Sequence, residues 1–227
     1  MERVRGRRWL WSVLSVALMS GLAISWVPEA RAEQKTSLAI LPFLVERGED
    51  PGRGAMCPLC KGVYRKGEIL PGSQNTLALL LYQKVETMGT LKVVPLENME
   101  EVFSKRDKRL FEERPIPSSI QLGKELNVGF ILVGFLFRFE ERIGSSLGVE
   151  RPASVGFDVH LFRLRDERMV WQGKLDETQR PLSENLFKIG SFFRRKAQWL
   201  TAEELSSVGM DEMLKRFPGP KELEEMP

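Results

Sequence analysis

The residues best suited to chemistry are two cysteines three positions apart, in the segment Cys57-Pro-Leu-Cys60. They are the only cysteines in the chain of 227 residues. A thiol pair at this spacing serves as a local disulfide, a redox centre, part of a zinc site or a haem attachment point. Lys61 follows Cys60 where haem attachment needs a histidine, so haem is excluded.

Three uses of the cysteine pair remain open. A thioredoxin-type redox pair begins a helix directly after a strand, whereas Gly62 and Gly67 follow here and favour a turn. Zinc needs four ligands, which a single chain with one histidine does not offer, so zinc requires two chains that pool their thiols. The favoured prediction is a disulfide between Cys57 and Cys60 that forms outside the cytoplasm and stiffens its loop.

The remaining candidate residues favour a protein that is not an enzyme and that has no cofactor. His160, the single histidine, is predicted to be a surface-facing or hydrogen-bonded strand residue, with a metal or triad role as the weaker alternative. Serine nucleophile elbows, Walker loops, dinucleotide-binding fingerprints and HExxH pairs are absent from the sequence. Phe192 and Phe193 are adjacent and cannot share one helix face, which makes them a predicted contact surface, with a second buried surface as an equal alternative.

The first 32 residues have the pattern of a secretory signal segment. Met1–Arg8 is basic, Trp9–Val27 is apolar, and Ala30 and Ala32 form the small-x-small pattern of a signal peptidase site. We therefore expect cleavage after Ala32 and a periplasmic location. The alternative is an uncleaved membrane anchor, because 19 apolar residues just span a bilayer. No cysteine lies near the cleavage site, so lipid attachment is excluded.

The charge of the chain argues against nucleic-acid binding. The net charge of +3 arises in the leader, where five arginines face two acids, while the remaining 29 basic and 29 acidic residues cancel. The exported part therefore lacks the positive excess that binds phosphates.

Hydrophobic patterns predict the element order β-α-β-α-α-β-β-β-α-α. Val128–Glu140 is apolar on both sides, with Phe139 on the side of Phe135 and Phe137, and is typical of a central strand. The predicted strands are Ser37–Val45, Leu91–Pro95, Val128–Glu140, Ser154–Arg165 and Arg168–Glu177. The predicted helices are Ser73–Met88, Leu96–Lys105, Ser118–Asn127, Ser183–Arg195 and Thr201–Phe217, with capping boxes at Ser118-x-x-Gln121 and Thr201-x-x-Glu204.

These elements predict an α/β (α+β) fold, a mixed β-sheet with helices packed on it and a late antiparallel hairpin. The predicted single domain spans residues 33–217 and includes a long Gly/Pro-rich loop, residues 46–72, that carries the cysteines. The mixed-charge segment Arg106–Arg114 is predicted to be solvated surface. Residues 218–227 are predicted to be a frayed tail.

Several segments occur in an order typical of one family. They are Leu38-Ala-Ile-Leu-Pro-Phe43, the helix Thr76–Met88, Leu91-Lys-Val-Val94, Gly123-Lys-Glu-Leu-Asn-Val128 before Ile131-Leu-Val-Gly134, and the late strand pair with Asp166 in its turn and Val170-Trp171 after it. This arrangement resembles the small bacterial envelope domains typified by the amino-terminal domain of TolB, with CsgG and the penicillin-binding-protein activator lipoproteins as relatives.

The resemblance implies a sheet with packed helices, no catalytic residues and work done by protein–protein contact. We therefore expect a periplasmic adaptor whose partners are outer-membrane or cell-wall proteins, with homo-oligomers as an open alternative. Contact with the membrane itself is expected only through an uncleaved signal segment. A thiol redox protein that uses the cysteine pair and a small-ligand-binding module are the alternative functions.

Overall fold

The computed structural model describes residues 36–46, 54–180 and 198–226. Ala30 and Ala32, the helix predicted at Ser183–Arg195, and Phe192 and Phe193 lie outside these ranges. The predictions of a signal segment and of a phenylalanine contact surface therefore stay predictions. No helix within the described ranges is long and apolar enough to cross a membrane.

The chain forms a mixed sheet with helices on it, which confirms the predicted fold class. The strands are β1 (Ser37–Ile40), β2 (Leu44–Val45), β3 (Ala55–Met56), β4 (Val63–Tyr64), β5 (Lys92–Val93), β6 (Phe130–Glu140), β7 (Ile143–Gly144), β8 (Val149–Arg151), β9 (Ser154–Arg163) and β10 (Arg168–Thr178). The helices are α1 (Ser73–Met88), α2 (Leu96–Ser104), α3 (Lys108–Glu113), α4 (Pro115–Glu125), α5 (Ala202–Leu214) and α6 (Pro220–Glu225).

The main sheet has six strands, five of them in the order β10-β9-β6-β1-β5, with β2 also paired to β6. Strands β1, β2 and β5 run parallel to their neighbours, whereas β9 runs antiparallel to both β6 and β10. The predicted late hairpin is confirmed, since β9 and β10 pair from Arg163 and Arg168 outward. Two small hairpins, β3–β4 and β7–β8, lie outside this sheet.

The sheet has a hydrophobic core on each face, which explains why β6 is apolar on both sides. Helices α1 and α5 cover one face, where Leu77 and Leu205 join a cluster with Leu132. Helices α2, α3 and α4 and the β3–β4 hairpin cover the other face, where Met99 and Tyr64 join a second cluster. The hairpin that follows the first part of the long loop is thus part of the core.

A bulge in β6 corrects one prediction of side-chain direction. The pairing of β6 with β9 shifts register between Leu136 and Arg138. Phe139 therefore joins the core under α1, whereas Phe135 and Phe137 belong to the opposite core. The prediction that all three share one face is wrong, because the extra residue of a bulge reverses the alternation of a strand.

The helix termini differ in how well the sequence predicts them. Thr201 and Glu204 form the predicted capping box at the start of α5. The box predicted at Ser118 is wrong, because α4 already begins at Pro115, a residue suited to the first turn, and the Ser118 hydroxyl donates to the carbonyl of Leu110. Helix α1 ends as predicted, at Gly89 with a left-handed φ of 63°.

Two polar segments are more ordered than predicted. The segment predicted to be solvated surface, Arg106–Arg114, contains α3, whose Phe111 is buried. The segment predicted to be a frayed tail forms α6, whose Leu223 is buried. Arg163 of β9 donates to the carbonyls of Leu223 at 3.0 Å and Met226 at 2.8 Å, so a buried arginine holds this segment against the sheet.

Candidate metal centre

The cysteine pair forms the turn of the β3–β4 hairpin. The Cys57 N–H donates to the Gly62 carbonyl at 2.8 Å, and the Lys61 N–H donates to the Cys57 carbonyl at 3.1 Å. Lys61 adopts a left-handed φ of 60°. A Cβ on Gly62 would lie 3.2 Å from Cys60 Sγ and from the Tyr64 ring, so the tight turn favours glycine at this position. The two thiols consequently point the same way.

The hairpin is fixed to the sheet by an aromatic stack. The Tyr64 ring lies over the Phe137 ring of β6, with centroids 4.1 Å apart and planes 6° from parallel. Ala55 and Cys57 are buried beside it. The turn thereby lies over the face of the sheet that β9 shares with β6.

Strand β9 brings a histidine and a carboxylate under the thiols. Phe157, Val159 and Leu161 belong to the core under α1 and α5, so the alternate residues Asp158 and His160 point to the hairpin side. Potential ligand atoms of Cys57, Cys60, Asp158 and His160 all lie within 4.8 Å of one another. We call these four residues the Cys–Asp–His cluster.

Three distances define the cluster. Cys57 Sγ lies 3.4 Å from His160 Nε2, and Cys60 Sγ lies 3.6 Å from Asp158 Oδ2. His160 Nε2 lies 3.2 Å from Asp158 Oδ1. The side chains of Asp158 and His160 are 1% and 0% exposed, and Cys57 is 0% exposed. Of the two positions predicted for His160, the surface-facing one is therefore wrong, whereas the hydrogen-bonded strand position is confirmed by its contact with the Cys57 thiol.

The cluster contains buried polar atoms without hydrogen-bond partners among the described residues. Asp158 Oδ1 and His160 Nδ1 are such atoms, and the hydroxyl of Tyr64, a hairpin residue outside the cluster, is another. The proximity of Asp158 Oδ1 to His160 Nε2 is thus an ion-pair distance without hydrogen-bond geometry. Buried polar groups are almost always paired, so atoms of this kind indicate a missing partner.

Backbone groups prepare the sulfur atoms to carry negative charge. Cys57 Sγ accepts from the N–H groups of Leu59 at 3.4 Å and Cys60 at 3.5 Å, and Cys60 Sγ accepts from Gly62 at 3.4 Å. Such donors favour the thiolate. Burial nevertheless raises the pKa of the Cys57 thiol above its ordinary value, and the adjacent Asp158 raises it further. Burial likewise raises the pKa of Tyr64, with Asp158 as the next cause.

The cysteines are free thiols in this structure. The predicted disulfide between Cys57 and Cys60 thus stays a prediction about the protein in its compartment. The prediction that zinc needs two chains assumed that one chain offers too few ligands. Sequence reasoning weighed Cys57, Cys60 and His160 but missed Asp158, which supplies a fourth donor. Its signal was a charged residue two positions before the histidine, on a strand whose other face is fully apolar.

Beside the cluster, an arginine holds the segment after β4. Arg138, which is 1% exposed, donates to the Arg65 carbonyl at 2.7 Å and to Asp176 Oδ1 at 2.7 Å. Its guanidinium also donates to Ser154 Oγ at 2.7 Å and to the Val155 carbonyl at 2.9 Å. We call Arg138 and these four partners the Arg138 cluster.

The chain is similar to known proteins in structure. No model of a known protein family matches it, and no curated protein matches its sequence. Solved structures of similar shape include the PelC dodecamer from Paraburkholderia phytofirmans, with 10% identity, 80% of this chain and 86% of that chain covered, and a TM-score of 0.45. The lipoprotein GNA1162 from Neisseria meningitidis has 14% identity, coverage of 63% and 83%, and a TM-score of 0.42.

A third similar structure is the LpoB C-terminal domain from Salmonella enterica, with 9% identity, 64% of this chain and 84% of that chain covered, and a TM-score of 0.39. None of these three is the TolB amino-terminal domain or CsgG, so the resemblance to that family stays a prediction. At TM-scores below 0.5 the similarities carry no argument about the site, which is described from its own geometry.

Proposed function

We propose that the chain is a non-enzymatic protein of the bacterial periplasm that acts by binding other proteins in the assembly or maintenance of the envelope. The observation that carries the proposal is the enclosure of its reactive groups. The Cys–Asp–His cluster unites the cysteines with the single histidine, and three of its four side chains are at most 1% exposed. A substrate cannot reach these buried side chains. We therefore expect the protein to act through contacts of its surface with other proteins.

The thiol chemistry supports the same proposal. A redox cysteine attacks as a thiolate and is accessible, with a pKa lowered by its surroundings. Burial instead raises the pKa of Cys57 and withdraws it from solvent. These properties oppose the alternative of a periplasmic thiol redox protein. An insulin-reduction assay separates the two functions, because the adaptor is expected to show no activity above the background of reductant alone.

The small-ligand alternative has a weaker basis. A surface cleft between α1 and α2 is lined by Asn75, Thr76, Leu79, Leu96 and Glu97. This lining contains one charged side chain, Glu97, whereas ligand sites combine an apolar cavity with several convergent polar groups. Binding by the protein surface is therefore the function that we favour.

Crosslinking in living cells tests the proposed function. Leu147 lies in the β7–β8 hairpin and is 84% exposed, so a photo-crosslinking residue there leaves the core intact. Arg109 of α3, with a side chain 81% exposed, is the matched position on another element. We expect one or both positions to capture a reproducible outer-membrane or cell-wall protein. Crosslinks to no specific protein from either position, in correctly exported protein, would contradict the proposal.

A further inference from the structure

We propose that the Cys–Asp–His cluster binds one Zn²⁺ per chain as a closed, four-coordinate structural site. The inference concerns the folded chain itself and does not depend on which partner the protein binds. It differs from a zinc site shared between two chains, because every ligand comes from one chain.

The donor set suits zinc. Two sulfurs, one imidazole nitrogen and one carboxylate oxygen are all ligands that Zn²⁺ accepts, and four protein ligands are typical of structural rather than catalytic sites. Magnesium and calcium prefer sites made entirely of oxygen. The two thiolates favour a softer ion than these, while the imidazole and the carboxylate favour a divalent one.

The geometry is close to that of a metal site. Zinc bonds of about 2.3 Å to sulfur and about 2.0–2.1 Å to nitrogen and oxygen give a tetrahedron with edges of about 3.3–3.8 Å. The observed separations are 3.4 Å from Cys57 Sγ to His160 Nε2, 3.6 Å from Cys60 Sγ to Asp158 Oδ2, and 3.2 Å from His160 Nε2 to Oδ1, the other oxygen of the same carboxylate. The widest separation among the ligand atoms is within 4.8 Å, so adjustments of about an ångström complete the tetrahedron.

The charges of the cluster call for a cation. A buried carboxylate is unfavourable unless it is paired or coordinates a metal. Asp158 lies beside two thiols, and its Oδ1 has no hydrogen-bond partner among the described residues. A divalent ion between these groups offsets the charge of the carboxylate and of the thiolates that form when the two thiols release their protons to solvent.

The surroundings of the thiols match the role. The N–H groups of Leu59, Cys60 and Gly62 point at the sulfur atoms, which orients them and stabilises their ionised form. The hairpin adds no strand to the main sheet, since β3 and β4 pair only with each other, and it contacts the sheet through the Tyr64–Phe137 stack. Zinc would add a second connection, with ligands from both the hairpin and β9.

Metal titration of the full chain, purified in a thiol-free reductant, tests the proposal. Native mass spectrometry is expected to show one zinc per monomer. Cobalt substitution is expected to give the sulfur-to-cobalt absorption of a tetrahedral site with two thiolates. Zinc is expected to raise the thermal midpoint and a chelator to return it to the metal-free value.

Matched variants assign the ligands. Cys60→Ser and His160→Gln are each expected to weaken zinc binding by at least about 100-fold, and Asp158→Asn by at least about 10-fold, since even outer-shell changes cost about 10–100-fold. Lys61→Asn is the control, because Lys61 is exposed in the same turn and asparagine tolerates its left-handed backbone. This control is expected to bind zinc like the wild type.

Three results would overturn the proposal. They are reduced wild-type protein that binds no zinc, one zinc shared by two chains, and zinc affinity unchanged in both His160→Gln and Asp158→Asn. Far-UV circular dichroism of each metal-free variant checks its folding. Where a variant does not fold, the wild-type cobalt spectrum decides, because a four-thiolate site shared by two chains absorbs more strongly than a site with two. If the protein binds zinc but neither crosslinking position captures a specific partner, the result would count against the proposed function and not against the zinc site.

Discussion

The two polar clusters that hold the β3–β4 hairpin segment differ in how they are completed. In the Arg138 cluster, the guanidinium donates to carbonyl, hydroxyl and carboxylate oxygens, which belong to Arg65, β9 and β10. The Cys–Asp–His cluster contains buried atoms that find no such partner among the described residues. Protein groups complete the first cluster, whereas the described residues leave polar atoms of the second without partners.

Burial alone does not distinguish a structural polar group from a binding site, because Arg138 and His160 are both almost fully buried. What differs is the match of donors and acceptors, which is complete around Arg138 and incomplete around Asp158. An arginine offers five donors and finds acceptors, whereas Asp158 accepts a weak S–H donor from Cys60 at Oδ2 and has no hydrogen-bond partner for Oδ1 among the described residues.

The largest expected effect comes from breaking the completed cluster. Arg138→Met removes the donors and leaves several oxygens without partners, so we expect a loss of about 3 kcal/mol in the free energy of unfolding. Urea unfolding measures it, with and without a chelator, and the loss should be the same in both. Arg109→Met, at a side chain 81% exposed, is the control and should change stability by less than about 0.5 kcal/mol. A loss of that small size for Arg138→Met would contradict the comparison.

A smaller change in the same cluster sharpens the measurement. Ser154→Ala removes the acceptor of the Arg138 Nε–H, whose distance to Ser154 Oγ is 2.7 Å. We expect a loss of about 1–3 kcal/mol, because a buried charged donor is left without a partner. Thermal unfolding at fixed pH checks it. Equal stability of Ser154→Ala and wild type would mean that water replaces the hydroxyl and that the cluster is less closed than described.

Acid titration tests a second arginine that is satisfied by the protein. Arg163 holds Asp166 with contacts of 3.0 and 2.6 Å, and this hydrogen bonding lowers the pKa of Asp166 below its ordinary value. The stabilisation is therefore present above the ordinary aspartate pKa and is lost as pH falls through the lowered value.

Asp166→Asn should accordingly be less stable than wild type by about 0.5–1 kcal/mol at pH 7. The difference should shrink as the pH falls below about 4, where the unfolded aspartate is protonated. Urea unfolding across this range measures it. A difference that does not depend on pH would show that the ion pair has no part in the stability of the turn.

The smallest effect is expected in the incomplete cluster. Asp158→Asn in metal-free protein replaces a buried carboxylate by an amide of the same shape, and Asp158 Oδ1 loses no hydrogen bond. We expect the stability to stay within about 0.5 kcal/mol of wild type or to rise by up to about 1 kcal/mol. Urea unfolding in chelator measures it. A loss as large as that of Ser154→Ala would show that Asp158 is already satisfied without a ligand.

Local patterns predicted much of this fold. The doubly apolar run of β6, the alternation of β9, the end of α1 at Gly89 and the capping box at Thr201 each depend on neighbours within a few residues. Two wrong predictions have local causes that the hydrophobic pattern does not show. A bulge moved Phe139 to the other core, and Pro115 began α4 a turn before the expected cap.

The candidate site could be predicted only in part, because its halves are far apart in sequence. The sequence indicated one half as a cysteine pair and the other as a strand histidine. Neither segment contains a pattern that predicts their contact. The meeting depends on the Tyr64–Phe137 stack and on the pairing of β9 with β6. Asp158 was missed because a charged residue on a strand is ordinarily solvated, and its burial follows only from the hairpin above it.

The distance along the chain between Cys57 and His160, 103 residues, bears on folding itself. A disulfide between Cys57 and Cys60 would close a ring of a few residues and restrict the unfolded polypeptide very little. A bond from the hairpin to β9 through an ion would close a loop of about 100 residues, for which the chain-entropy relation of a covalent crosslink gives about 4–5 kcal/mol. The same two sulfur atoms can thus form a short-range crosslink within the hairpin or, through an ion, a long-range crosslink between the hairpin and β9.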